Sequence, residues 1–286
     1  MSTPALGFIG LGNLGAPMAR RLANWPGGLT VFDVRTEAMA PLEEAGAAVA
    51  HSVAGVAAAD VISIAVVSDE QVREIVGELA AHIKPGTVIA VHSTISQHTI
   101  PELADQLRPN GIHLIDAPVS GSSGGAATGS LAVMVGAERD VFERVKPVFE
   151  QFGSLIVHAG GPGAGTRMKL ARNMVIYISY AGVGEALRLA EAGGIDLLQL
   201  GRVIRHTDAL TGGPGAIIMR DDTAPLAPGN DLHDLFVHTR NLGEKDLGLA
   251  LALGAELGID LPMAATALEN LGPRLGVPHA DSNAGE

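Results

Sequence analysis

The 286-residue chain has no cysteine, which excludes disulfides, thiolate metal sites and a cysteine nucleophile. Aromatic residues are only 3% of it, so a core has to be assembled from Ala, Val, Leu and Ile, a set that suits helices and buried parallel strands. Basic residues are scarce too. Nineteen Lys plus Arg stand against 31 Asp plus Glu, a formal charge of −12, and no basic run is long enough to follow a phosphate backbone, so no nucleic-acid partner is expected. The most apolar stretch, Val53 to Val67, is broken by Asp60 and falls short of the ~20 residues of a membrane span, so no membrane partner is expected. In "MSTPALGFIG" no basic segment precedes the apolar run, so no secretory signal is visible, and with zero cysteines a cytoplasmic location is expected. No His, Asp and Glu cluster has metal-ligand spacing, and no metal is expected.

What the chain does have is an apolar share of 47%, 37 glycines, and a length that argues for about two domains. In the first half, short apolar runs alternate with amphipathic ones. Strands are expected at Ala5–Gly10, Leu29–Asp33, Val61–Val67, Thr87–His92, Ile112–Asp116, Leu131–Gly136 and Ser154–His158. Helices are expected between them at Leu14–Ala23, Glu37–Ala45, Glu70–His82, Thr99–Leu107 and Glu138–Gln151. That alternation implies an α/β, Rossmann-type, doubly wound domain over residues 1–161. After Gly161 the strand signals stop. Residues 162–286 read as an all-α domain for substrate and oligomerisation, joined by a long connecting helix at about 163–192. Further helices are expected at Leu197–Arg205, Leu232–Leu257 and Pro262–Leu271, with one short helix near Ala216–Met219. The residues His279 to Glu286 read as a frayed end.

"FIGLGNLGAPMARRLA" places Gly10, Gly12 and Gly15, with Leu11, Asn13 and Leu14 between them, after a strand and at the start of a helix. Gly10 permits the tight turn, Gly12 lets backbone approach a pyrophosphate, and Gly15 packs the helix onto the strand. Helix N–H groups then face the phosphates. The second strand ends in Asp33, 18 residues after Gly15, where an acid can bind both adenosine ribose hydroxyls and repel a 2′-phosphate. NAD is favoured. Arg35, two residues on, could instead swing over a 2′-phosphate, so NADP stays open.

The long helix carries Lys169 at its start and no charge between Arg172 and Glu185. Asn173, Ile176 and Tyr180 fall within about 40° of Lys169 around the axis. The other directions are apolar as well, so the helix is expected to be wrapped by protein on most sides. An ammonium there either sits in a cleft with a lowered pKa and exchanges protons with a hydroxyl or carbonyl, or joins Arg167 and Arg172 in a solvated basic first turn. A third candidate is the Gly/Ser loop of "IDAPVSGSSGGAATGSLAVMVG", after the strand ending at Asp116, whose N–H groups and hydroxyls can form a nest for an anion.

Four segments in order, "GFIGLGNLGAPMA", "DAPVSGSSGGAATGSL", "GPGAGTRMKLARNM" and "EKDLGLA", together resemble the β-hydroxyacid dehydrogenase family. The resemblance covers nearly the whole chain and implies a nicotinamide-dependent oxidoreductase that acts on a small 3-hydroxy acid or its semialdehyde, a small-molecule carboxylate. It implies Lys169 as general acid/base and Asn173 as the partner that fixes substrate. Ser120 and Gly121 match the substrate-carboxylate loop, with Ser122 where the family usually continues with glycine. Lys245 is implied at substrate and nicotinamide, and Thr94 near the nicotinamide ribose. Val66 and Val67 stand where a Leu-Pro pair is common, beside the cofactor. His238, where an aromatic is common, is a pocket residue or a helix-surface histidine. Two alternatives are imine reduction on the same scaffold and a non-catalytic NAD(P)-binding protein. A C-terminal half of apolar helices suggests a homodimer or homotetramer.

Overall fold

The computed structural model describes residues 3–279, so the expected fraying beyond 279 lies outside the described residues. The chain divides into two compact units, Met1–Asn173 and Met174–Glu286.

The first unit opens with β1 (Leu6–Ile9), α1 (Gly15–Leu22), β2 (Leu29–Phe32), α2 (Ala40–Glu43) and β3 (Ala48–Val49). It continues with β4 (Val61–Ile64), α3 (Asp69–Ala80), β5 (Val88–Val91), α4 (Thr99–Leu107) and β6 (His113–Asp116). Then come β7 (Val119–Ser120), α5 (Ser122–Thr128), β8 (Leu131–Gly136), α6 (Arg139–Phe149) and β9 (Gly153–Gly160), before α7 (Ala164–Ala192), which runs on into the second unit.

The strands form one sheet in the order β3-β2-β1-β4-β5-β6-β8-β7, with β9 on β8. The run from β3 to β6 is parallel throughout, the order of a dinucleotide-binding fold. β8 runs antiparallel to β6 and β7, a reversal that hydrophobic periodicity does not report. Side chains alternate between two buried layers: β5 sends Val88 and Ala90 to one, with α1 and α6, and Ile89 and Val91 to the other, with α3 and α4. Both faces of the sheet are therefore dry, which is why its strands read as unbroken apolar runs.

Within the second unit lie α8 (Leu197–Thr211), α9 (His233–Glu256) and α10 (Pro262–Leu275). Phe236, Leu275 and Val277 form a small buried cluster there. Glu185 of α7 accepts the backbone N–H groups of Met263 and Ala264 at 2.7 and 3.0 Å, satisfying the first turn of α10 from a neighbouring helix.

Several expectations are corrected. The Gly/Ser stretch is not a loop: it holds β7 and then α5, bracketed by Gly121 (φ 131) and the left-handed C-cap Gly129 (φ 72), with Ala126 buried on the core. The helix expected at Glu37–Ala45 is a 3-10 turn at Thr36–Ala38 and the single turn α2. α8 continues to Thr211, where Gly212 in left-handed conformation ends it. The short helix expected near Ala216–Met219 is a 3-10 turn at Gly213–Ile217. α7 is not wrapped by protein in one copy of the chain: Met174, Tyr177, Ile178 and Tyr180 are each more than half exposed.

Candidate functional site

The glycine loop between β1 and α1 forms one wall of a cleft of about 780 Å³. Gly10, Gly12, Asn13, Asp33, Arg35, Val66 and Val67 line it, joined by His51 and Glu74, which the sequence reading did not single out. Gly10 has φ +91, a conformation that L side chains rarely adopt, and a Cβ at Gly15 would lie 2.0 Å from the Gly10 carbonyl oxygen. A Cβ at Gly12 would meet no protein atom within 4 Å, so backbone is bare on the side where a pyrophosphate approaches. Leu14 is the N-cap residue of α1, and the first turn of that helix carries no acid to compete for an anion. These residues fit a dinucleotide.

Asp33 sits just past β2 and is 8% exposed. Its carboxylate accepts the Leu11 N–H at 2.6 Å, the Arg35 N–H at 2.9 Å and the Arg35 Nε at 3.2 Å. Burial works against its ionisation, but the N–H groups of Arg35 and Leu11 and the guanidinium outweigh it and hold the carboxyl below the usual carboxylate range. Arg35 also donates to the Leu11 carbonyl at 3.3 Å, so its guanidinium is folded back onto Asp33 and the glycine loop.

Past the end of β4, next to the glycine loop, Ser93 binds both backbone groups of Val66, its Oγ accepting the N–H at 2.9 Å and donating to the carbonyl at 2.7 Å. Val67 has an N–H that a proline would lack, and Gln71 Oε1 accepts it at 2.8 Å. Gln71 with Ser68 also closes the capping box of α3. The spacing Ser68-x-x-Gln71 carries that signal in the sequence. Thr94, beside Ser93, is exposed.

The second cluster is at the start of α7. Lys169 is 8% exposed, and its Nζ donates to the Val119 carbonyl at 2.7 Å and to Ser120 Oγ at 2.8 Å. Of the two readings open for this lysine, the solvated basic turn is not what the structure shows, since the amine is buried against Val119 and Ser120. Burial first, and the charge of Arg172 second, push its pKa below the ordinary lysine value of 10.5. Asn173 is half-buried one turn on and accepts Arg172 Nη1 at 3.4 Å. Gly121 and Ser122 are exposed at the start of α5. Ser122 has φ 61, in the left-handed region, which explains why glycine is the easier residue there: a side chain costs about 1 kcal/mol. Lys245 and His238 lie on α9 in the second unit, both exposed, with Lys245 Nζ 3.0 Å from Asp246. Among the described residues, no group of three or more His, Asp and Glu side chains is arranged to hold a metal ion, and no helix is long and apolar enough to cross a membrane.

A Rossmann-type sheet and a glycine loop with its acid define a dinucleotide-binding protein. Residues 5–161 match the family described as the NAD binding domain of 6-phosphogluconate dehydrogenase. Residues 163–273 match the family described as NAD-binding of NADP-dependent 3-hydroxyisobutyrate dehydrogenase. A relative from Mycobacterium tuberculosis, described as an uncharacterized oxidoreductase, is 59% identical over 98% of this chain and 96% of its own. The NAD-dependent L-serine dehydrogenase of Pseudomonas aeruginosa is 34% identical over 92% of this chain and 89% of its own. The crystal structure of a provisionally assigned oxidoreductase from Mycobacterium avium 104 superposes with a TM-score of 0.94 at 63% identity, covering 96% of this chain and 100% of that one. The chain belongs to the 3-hydroxyisobutyrate dehydrogenase-like family of NAD(P)-dependent β-hydroxyacid dehydrogenases.

Proposed function

We propose that this enzyme interconverts a small 3-hydroxy acid and its semialdehyde, with Lys169 as general acid/base. The observation that carries the reading is the buried Lys169 amine bonded to Ser120 Oγ at 2.8 Å, in a chain that also presents a dinucleotide cleft. A nicotinamide cofactor held by the glycine loop and Asp33 would supply the hydride acceptor in oxidation and the hydride donor in reduction. Lys169 handles the accompanying proton: it accepts the hydroxyl proton as the C–O bond becomes a carbonyl, and donates it in reverse. Ser120 with the N–H groups at Gly121 and Ser122 holds the carboxylate, and Asn173 orients the reacting oxygen. Thr94 is assigned to the cofactor, Lys245 to substrate and cofactor, and His238 to the substrate pocket, the roles their motifs imply.

NAD is the favoured cofactor, because the Asp33 carboxylate repels a 2′-phosphate while Arg35 is engaged with that same carboxylate. Imine reduction is disfavoured by Lys169, and a non-catalytic dinucleotide-binding role gives the Lys169–Ser120 pair nothing to do. The exposed apolar side chains of α7 support a homodimer or homotetramer in which a second copy covers them. The residues 1–161 then form the dinucleotide domain and 162–286 the substrate and oligomerisation domain, and the cytoplasm is the location that a cysteine-free chain suits.

The test is a panel of 3-hydroxy acids, including 3-hydroxyisobutyrate, L-serine and glycerate, and their semialdehydes, followed by nicotinamide absorbance with each cofactor. Turnover of at least one, faster with NAD than with NADP, is expected. No reaction with either cofactor contradicts the reading.

A further inference from the structure

Asp116 is the last residue of β6, is 1% exposed, and has no place in the proton transfer described above. One carboxylate oxygen accepts the Gly163 N–H and the other the Thr166 N–H, both at 2.6 Å. These donors straddle the first residue of α7, Ala164, so the carboxylate satisfies two of the N–H groups that a helix start leaves unpaired. Such a cap normally comes from the residue just before the helix. Here it comes from 47 residues away, across the sheet.

The position closes a ring. Beyond Asp116, the Ala117 N–H is bound to the Val91 carbonyl at 2.8 Å and the Ala117 carbonyl to His92 Nδ1 at 2.8 Å. Two residues further, Val119 and Ser120 receive Lys169 Nζ. Lys169 stands three positions after Thr166 on α7, one turn along. One segment, 116–120, thus holds α7 at both ends of its first turn: by the Asp116 carboxylate at the backbone, and by Val119 and Ser120 at the lysine head. The carboxylate and the start of α7 occupy the space that a side chain at Gly136 would need. A Cβ at Gly136 would lie 2.2 Å from Asp116 Oδ1 and 2.8 Å from the Gly165 nitrogen.

We propose that Asp116 is a positioning residue for Lys169: by anchoring the first turn of α7 to the strand that leads to Ser120, it sets the amine at bonding distance from Ser120 Oγ before substrate arrives. The inference rests on Lys169 being the proton-transfer group. A carboxylate suits the task better than an amide, since both oxygens face N–H donors and an Asn side chain offers only one acceptor. Burial pushes the Asp116 carboxyl above its usual value while the N–H groups of Thr166 and Gly163 work to keep it ionised, a costly arrangement to retain for a helix start alone.

The test compares wild type, Asp116→Asn, Lys169→Ala and the double variant, with saturating NAD and the substrate identified by the panel. In Asp116→Asn, kcat is expected to fall by about 100-fold, the loss that a misplacement of about 1 Å brings. NAD affinity and the KM for hydroxy acid stay close to wild type, and the solvent deuterium isotope effect on kcat increases as proton transfer becomes limiting. The double variant is no slower than Lys169→Ala. Should Asp116→Asn not fold, Asp116→Ser, which keeps one acceptor in a smaller volume, carries the same measurements. A kcat close to wild type overturns the proposal. So does a kcat lowered only in proportion to lost NAD sites, with the isotope effect unchanged, since that marks a purely structural residue. Turnover retained by Lys169→Ala instead removes the reading of Lys169 on which the proposal rests.

Discussion

Lys169 is held by two oxygens and loses most of its hydration, and that exchange decides how it titrates. Its ammonium donates to a carbonyl and a hydroxyl, neither of which is charged, while Arg172 lies on the same helix. Desolvation followed by that like charge favours the neutral amine. With Lys169 as the proposed base, oxidation requires its neutral amine, so kcat/KM for the hydroxy acid should rise with pH to a plateau, with an apparent pKa below 10.5. Reduction needs the ammonium and should fall over the same interval. A pH profile in both directions checks this, and an ascending limb at or above the ordinary lysine value contradicts it. At this scale the glycine spacing and the Lys169–Asn173 spacing were legible in the sequence, since both are local. The sequence left open whether the lysine was solvated, because the answer lies in Val119 and Ser120, 50 and 49 positions away. Asp116 was visible only as the end of a strand, for the same reason.

At the scale of elements, the segment between β6 and α5 is braced from beneath by His92, which is 1% exposed. Its ring stacks on Phe8 at 6.3 Å and meets the edges of Phe149 and Phe152. The Ala117 carbonyl can only accept, so Nδ1 carries the proton and Nε2 accepts from Ser63 Oγ at 3.0 Å. Burial lowers the His92 pKa to about 4, against 6.5 for a free histidine. The folded form therefore binds this proton less readily than the unfolded chain. The resulting stability is complete above pH 6.5 and is lost as pH falls towards 4, a difference of about 3 kcal/mol. In His92→Gln the decline of thermal midpoint between pH 7 and pH 4 should flatten; an unchanged decline contradicts the assignment. The main strands were legible because β4, β5 and their neighbours are apolar on both faces, and α3 because it is amphipathic and capped. β7 and α5 were not, since "VSGSSGGAAT" has the composition of a loop and its helix depends on Gly121 and Gly129 at its ends and Ala126 in the core.

For the whole molecule, the change from alternating strand and helix to helix alone was readable near Gly161, just past the end of β9 at Gly160. The antiparallel return of β8 was not, because strand direction depends on connections rather than on periodicity. The exposed face of α7 escaped the sequence as well: an apolar helix reads the same whether its cover comes from its own chain or from another copy. Most of what concerns function converges on one claim, that a chain able to hold NAD transfers a proton through Lys169. Measuring NAD affinity and turnover in Lys169→Ala tests it most directly. A Kd for NAD within about two-fold of wild type and turnover lowered by about 10³ or more are expected; turnover close to wild type would contradict that role for Lys169.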